Sequence, residues 1–226
     1  MGKGTLIGVG CLVVLLVAAV VLGGMAIGIR NNLVELSQAV DAQWSQVENV
    51  YQRRADLIPN LVNTVKGAAE FERGTLEAVT EARASVGRMQ APSNLPNDPA
   101  AFARFEQAQQ QLSGALARLL VVVERYPDLK ANANFRDLMA QLEGTENRIS
   151  VERMRYNERA QAYNTARLKF PANLFAGLFG FGEKAYFRAQ AGAENAPPVN
   201  FDSLRRTPAP GPTAPVVTSP APAPTR

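Results

Sequence analysis

Histidine is absent from this 226-residue chain, and its one cysteine, Cys11, lies inside the N-terminal apolar run. Histidine-based triads, histidine-ligated metals and disulfides are thereby excluded from everything that follows that run. No stretch alternates apolar and polar residues with a period of two, so strands are not expected. A charge excess is missing as well. The formal net charge is +4, but residues 31–194 hold 19 Lys/Arg against 19 Asp/Glu, and the surplus comes from Lys3, Arg30, Arg205, Arg206 and Arg226 against Asp202. Nucleic-acid binding asks for a basic face and is not expected. Gly-x-Ser-x-Gly, the phosphate loop and the dinucleotide fingerprint are all lacking, which leaves acid–base work to Asp, Glu, Lys or Tyr alone. The chain is therefore read as non-enzymatic, with no cofactor and no metal.

What is present begins with an uncharged run from Leu6 to Ile29. As a helix at ~1.5 Å per residue it exceeds the ~30 Å hydrocarbon core of a bilayer. It is also longer than the ~7–15 apolar residues of a secretory signal and lacks a small-x-small cleavage site at its end, so it reads as an uncleaved transmembrane anchor over residues 1–30. Lipoprotein signals place their cysteine after the apolar run, whereas most of the run follows Cys11. A membrane-buried thiol is the simpler reading. Gly24 and Gly28 form a GxxxG through which two anchors can pack, so a homo-oligomer is an open expectation. Lys3 on one side and Arg30 on the other orient the anchor with its N-terminus inside and the following domain on the outer side.

Beyond the anchor, Val40, Trp44, Val47, Tyr51 and Ile58 recur at steps of three and four, with Arg54 in the intervening slot. Pro59 disfavours the helical region for Ile58 and lacks a backbone donor, so the first helix is expected to end within Arg53–Val62, with Asp56 capping the next. The alternative treats Pro59 as a kink only, giving one long rod in a three-helix pack. A second stripe runs through Val62, Val65, Ala69, Leu76, Val79 and Val86 to about Met89, where Ala91–Asn97 reads as a loop. Asp98–Pro99 is a cap followed by proline at the first helical position. The third helix carries Phe102, Phe105, Leu112, Leu116, Leu119 and Val123, with Gln109 on the seam, and Tyr126–Pro127 stops it. Asn132 or Asn134 caps the fourth, striped by Phe135, Leu138, Leu142, Ile149, Tyr156 and Tyr163 and ending at Phe170–Pro171. Four such helices bury their stripes only on one another, which gives an all-α fold: an anchor followed by an antiparallel up-and-down bundle of four helices over residues 31–190. From Asn195, proline recurs with alanine and threonine, so residues 191–226 read as a disordered tail of polyproline-II character.

Two blocks carry a resemblance. Trp44–Val47 through Arg53-Arg54-Ala55-Asp56-Leu57-Ile58-Pro59-Asn60-Leu61-Val62 is one. Tyr126–Asn132 through Tyr156-Asn157 to Tyr163-Asn164, continuing to Phe170–Asn173 and Phe179-Gly180-Phe181, is the other. Both are similar to the LemA family, over roughly Arg30 to Ala189. The resemblance implies a single-pass protein of the bacterial inner membrane with an antiparallel helical bundle and no established enzymatic activity. This chain has Asn31-Asn32 where the family pattern carries Tyr-Asn, and the Pro-rich tail lies outside the resemblance.

Several residues stand out as candidates. Arg54, Glu72, Arg83 and Glu152 put charges on apolar seams, and form either a buried polar layer or long side chains that reach to the rim. Glu70, Glu72, Glu77 and Glu81 read as a solvated face, since bundle metal sites of Glu-x-x-His type need histidine. The fourth helix gathers Arg148, Arg153, Arg155, Arg159, Arg167 and Lys169, suited to an anionic surface or to balancing acidic neighbours. Up-down topology returns that helix to the bilayer, so Leu174, Phe175, Leu178, Phe179 and Phe181, within the aromatic segment 171–190, either rest on the membrane or cap the open core. The expected partners are the lipid bilayer and a membrane or envelope protein held by a scaffold module. The alternative is a lipid-surface-binding or membrane-remodelling protein that uses the basic fourth helix and the 173–181 segment.

Overall fold

A computed structural model describes residues 2–67, 72–88 and 95–188. The chain forms helices α1 (Lys3–Lys66), α2 (Arg73–Arg88), α3 (Pro99–Val123), α4 (Pro127–Ala131), α5 (Ala133–Leu168) and α6 (Ala172–Leu178), with a 3₁₀ turn at Leu95–Asn97. No strand occurs among the described residues. Ala69, Glu70, Met89 and the Pro-rich tail lie outside them.

The apolar run and the first bundle helix are one helix. The turn expected within Arg53–Val62 is absent, because α1 continues through Pro59. Asp56 caps nothing; it is exposed in mid-helix and accepts a hydrogen bond from Gln52 Nε2 at 2.8 Å. Two causes keep the helix intact. A proline inside a helix leaves the carbonyl four residues earlier without its donor, and here that carbonyl, of Ala55, accepts from Arg83 Nε on α2 at 3.1 Å. The buried stripe also stays in phase across the proline, through Tyr51, Arg54, Ile58, Leu61 and Val65. A break at Pro59 would have thrown the last two out of register with the first three. One rod is thus correct for this segment, but four long helices remain among the described residues, since α2 starts only at Arg73.

The start and stop signals downstream act as expected. Asp98 accepts from the amides of Ala100 and Ala101 at 3.0 and 2.9 Å, with Pro99 opening α3. Asn132, not Asn134, caps α5, accepting from the Phe135 amide at 3.2 Å. Cross-links show that neighbours run antiparallel. Glu72 at the start of α2 meets Arg125 beyond the end of α3, while Gln43 and Arg54 of α1 meet Glu152 and Glu146 of α5 in reversed order.

Two apolar cores fill the bundle. One is largely aliphatic, with Ile58, Leu61, Val65, Val79, Leu112 and Leu119 at its centre. The other, nearer the apolar run, is aromatic: Trp44 has Phe102, Phe105, Tyr156 and Phe187 with ring centroids 5.5–6.0 Å away. Such edge and offset ring pairs add to the burial of apolar area itself.

Candidate functional site

Where the two cores meet, each of three helices contributes polar residues. On α1 these fall between Tyr51 and Ile58, on α3 between Phe105 and Leu116, and on α5 between Leu142 and Ile149. Arg54, 1% exposed, fills the gap. Its guanidinium donates to Glu146 at 2.6 Å, to Ser113 Oγ at 2.9 Å and to the Gln109 amide oxygen, and stacks 5.1 Å from the Tyr51 ring centroid. The two terminal nitrogens of the buried guanidinium are matched by these planar, directed bonds, while its buried Nε has no hydrogen-bond partner. The Glu146 side chain is 40% exposed, so the pair reaches solvent at that edge.

The other three seam charges do not join this cluster. Arg83 is half-buried and serves the carbonyl freed by Pro59. Glu72 is exposed and pairs with Arg125 at 2.7 Å. Glu152 accepts from Gln43 at 2.6 Å and from Arg155 at 2.9 Å, well along α5 from Arg54. Of Arg54's real partners, Gln109 was visible on the seam of its helix. Ser113 and Glu146 were not, because serine and a half-exposed glutamate look like ordinary surface residues until three helices converge. Along α2, Glu77 and Glu81 are exposed, and among the described residues no three or more carboxylates or thiols gather into a metal site.

Beside the polar layer an open groove runs between α1, α2 and α3. Glu48, Tyr51, Arg83, Val86, Phe105 and Gln109 line it. Burial pushes the Glu48 carboxyl up from its ordinary range and holds the Tyr51 phenol neutral. Gln109 links the groove to Arg54, so a polar group entering here meets a side chain already oriented by a buried charge.

The third polar feature is a strap, residues 181–187, which returns from α6 along α5 in extended form. Asn164 accepts from the Lys184 amide at 3.0 Å and donates to its carbonyl at 2.9 Å; Asn157 does the same for Phe187, at 3.0 and 2.9 Å. A carboxamide carries a donor and an acceptor side by side, so each asparagine stands in for a neighbouring strand. The spacing fits. Seven helical residues advance about 10.5 Å, and the three extended residues from Lys184 to Phe187 advance about 10 Å. Tyr156 and Tyr163 repeat the match, donating to the carbonyls of Ala185 and Gly182 at 3.0 and 2.9 Å. Burial raises both phenols, which keeps them protonated donors. Lys184, only 1% exposed, reaches Asp41 at 2.8 Å across the Tyr163 ring, and Phe187 closes the aromatic core.

Three of the six basic residues along α5 and its end are engaged by other groups of the chain. Arg153 pairs with Glu106 at 2.9 Å and lies 4.5 Å over Phe187, Arg155 binds Glu152, and Arg167 donates to the Phe181 carbonyl at 2.8 Å. Arg148, Arg159 and Lys169 are exposed. In the 173–181 segment, Leu174 and Leu178 are exposed. Phe175 and Phe179 are half-buried and stacked at 6.1 Å, and Phe181 is half-buried against the bundle. Gly24 and Gly28 lie exposed one turn apart on α1. The N-terminal part of α1 is long and apolar enough to cross a membrane, with a mean hydropathy of 2.8, and none of that window is buried against the rest of the chain.

The chain is 28% identical over 176 residues to the magnetosome proteins MamQ 1 and MamQ 2 of Paramagnetospirillum magneticum, which covers 70% of this chain and 64% of theirs. To MamQ of Magnetospirillum gryphiswaldense it is 27% identical over 173 residues, with the same coverage. To the LemA protein of Metamycoplasma hominis it is 23% identical over 163 residues, covering 72% of this chain and 70% of that one. The chain thus spans a little under two-thirds of the length of its MamQ relatives. The LemA family model matches residues 43–201, from the start of the aromatic core past the strap, and the chain belongs to the LemA family.

Proposed function

We propose that this membrane-associated helical protein is a non-enzymatic interaction module that holds a membrane or envelope protein partner at a set distance from the bacterial inner membrane. The observation that carries this reading is the continuity of α1. Its apolar run and its core-forming part are one helix from Lys3 to Lys66. From Arg30 to Lys66 the rod extends about 54 Å at ~1.5 Å per residue, so the bundle is a rigid post on its anchor. Most of the buried polar groups support the same reading, because they are engaged within the bundle: Arg54 with Gln109, Ser113 and Glu146, and the two asparagines with the strap. The groove between α1, α2 and α3 is the face assigned to the partner, since it offers apolar Val86 and Phe105 beside Glu48, Arg83 and Gln109. The bundle is placed on the outer side of the membrane, following the Lys3 and Arg30 asymmetry.

Crosslinking in intact membranes followed by recovery of the full chain tests this. A reproducible partner should appear, and should be lost from a Gly87→Trp variant, whose indole fills the groove from an exposed position with no atom within 4 Å of its Cβ. Repeated recovery of the chain alone, or a partner indifferent to Gly87→Trp, would reject the proposal.

A further inference from the structure

The 168–180 connection lies at one end of the bundle, because α5 descends into it and the strap climbs out of it along the same helix. That end faces the apolar run. Asn32 of α1, two residues beyond Arg30, lines the same surface hollow as Lys169 and Ala172. Here Leu168, Phe170, Leu174 and Leu178 are 66, 80, 65 and 79% exposed, a density of large apolar side chains that solvent-facing surfaces avoid. Leu174 and Leu178 stand one turn apart and share a face of α6. Residues 168–180 contain Lys169 and no carboxylate, and Arg30 flanks the same level on α1, while Glu158 lines the hollow farther up α5. The corner is also held in place. Ala176 is buried, its carbonyl accepts from the Phe181 amide at 2.9 Å, and Phe181 is tied to Arg167.

From this placement we infer that the α6 corner is a second membrane contact: Leu168, Phe170, Leu174 and Leu178 enter the headgroup–acyl boundary of the leaflet from which α1 emerges. The occupant is the bilayer surface itself. Continuity with the apolar run sets the corner at its level, and Lys169 with Arg30 matches lipid phosphates. A single spanning helix leaves the bundle free to rotate and tilt. A second contact on the same leaflet fixes both. The inference rests on α1 being embedded and not on the partner proposed above, so failure to find a partner leaves it standing.

The test uses the full chain carrying Cys11→Ser, with single nitroxide labels on Leu174→Cys, Leu178→Cys and Phe170→Cys. The control is Val121→Cys, 72% exposed on α3 near its end farthest from the apolar run. The proteins are reconstituted at high lipid excess in phosphatidylcholine–phosphatidylglycerol vesicles, and collisions with oxygen and with a water-soluble nickel chelate are compared. All four positions are exposed, so the core is undisturbed, and the three corner labels report independently. Depths of roughly 5–10 Å below the phosphates are expected at the corner, with Val121 in water. Corner labels reached freely by the nickel chelate would overturn the inference. So would labels shielded from both collision partners, which would mark a protein contact instead.

Discussion

Pro59 gives the sharpest prediction, because the structure places a proline in the middle of a helix and supplies a substitute for the bond it removes. A proline in a helix interior costs about 3 kcal/mol. The half-buried Arg83 Nε bond to the Ala55 carbonyl returns about 1 kcal/mol of that. Pro59→Ala should therefore stabilise the bundle by about 2 kcal/mol, since the new amide at position 59 takes over the Ala55 carbonyl. Arg83→Ala alone should destabilise by about 1–1.5 kcal/mol, because that carbonyl then has no donor. In the Pro59→Ala background the same arginine change should cost about 0.5 kcal/mol or less, leaving a coupling of about 1 kcal/mol. The full chain in detergent micelles can be titrated with urea while following Trp44, its only tryptophan, which is buried among the aromatic rings. If Pro59→Ala destabilises the bundle, or if the two changes add without coupling, the account of α1 is wrong.

Three further outcomes follow from the buried polar groups. Glu146→Ala strands a buried guanidinium and should cost about 3 kcal/mol or more, whereas Arg54→Met leaves a glutamate that can hydrate and should cost only about 1–2 kcal/mol. Equal losses in urea titrations would show that the arginine is not desolvated. Asn164→Ala removes both bonds to the Lys184 backbone, worth about 2 kcal/mol together. Amide hydrogen exchange over 182–187 should then speed by about 30-fold, and unchanged protection would mean that the strap is held by Phe187 and Lys184 alone. Tyr51, Tyr156 and Tyr163 have phenols raised by burial. Above pH ~10 the unfolded chain loses those protons first, so the folded state binds more protons and stability falls as pH rises. Tyr156→Phe and Tyr163→Phe should flatten that alkaline slope, and an unaltered slope would remove the phenols from the explanation.

The long helices were legible residue by residue. Phe102, Phe105, Leu112, Leu116, Leu119 and Val123 are all buried on α3 where their spacing put them, because a helix has a fixed period and an apolar stripe has only one favourable place to go. Asp98–Pro99 was equally readable, since caps act within one turn, and the cap of α5 was narrowed to Asn132 or Asn134, of which the structure uses Asn132. At Pro59 a local rule was applied where a distant residue decides. The missing donor is local, but its replacement comes from Arg83, 28 positions later. The phase of Tyr51, Ile58, Leu61 and Val65 across the proline already hinted at an unbroken rod. The polar layer was half visible, in Arg54 and Gln109, while Glu146 and Ser113 became partners only through convergence. The strap was not foreseen. The repeat of Tyr-Asn at 156–157 and 163–164 is plain in the sequence, but two asparagines seven residues apart reveal nothing of an extended segment returning to them.

By itself, the sequence determined the apolar run, the helix class, the periodic core and the absence of histidine and disulfide chemistry. These are properties of composition and of local period, which need no knowledge of neighbours. Only the tertiary structure decided that the apolar run and the bundle share one rod, which charge is buried and by what, and that Lys184 and Phe187 are drawn into the bundle. Each of those depends on backbone or side-chain groups far apart in sequence meeting within hydrogen-bond distance, and burial raises the cost of every polar group left without a partner.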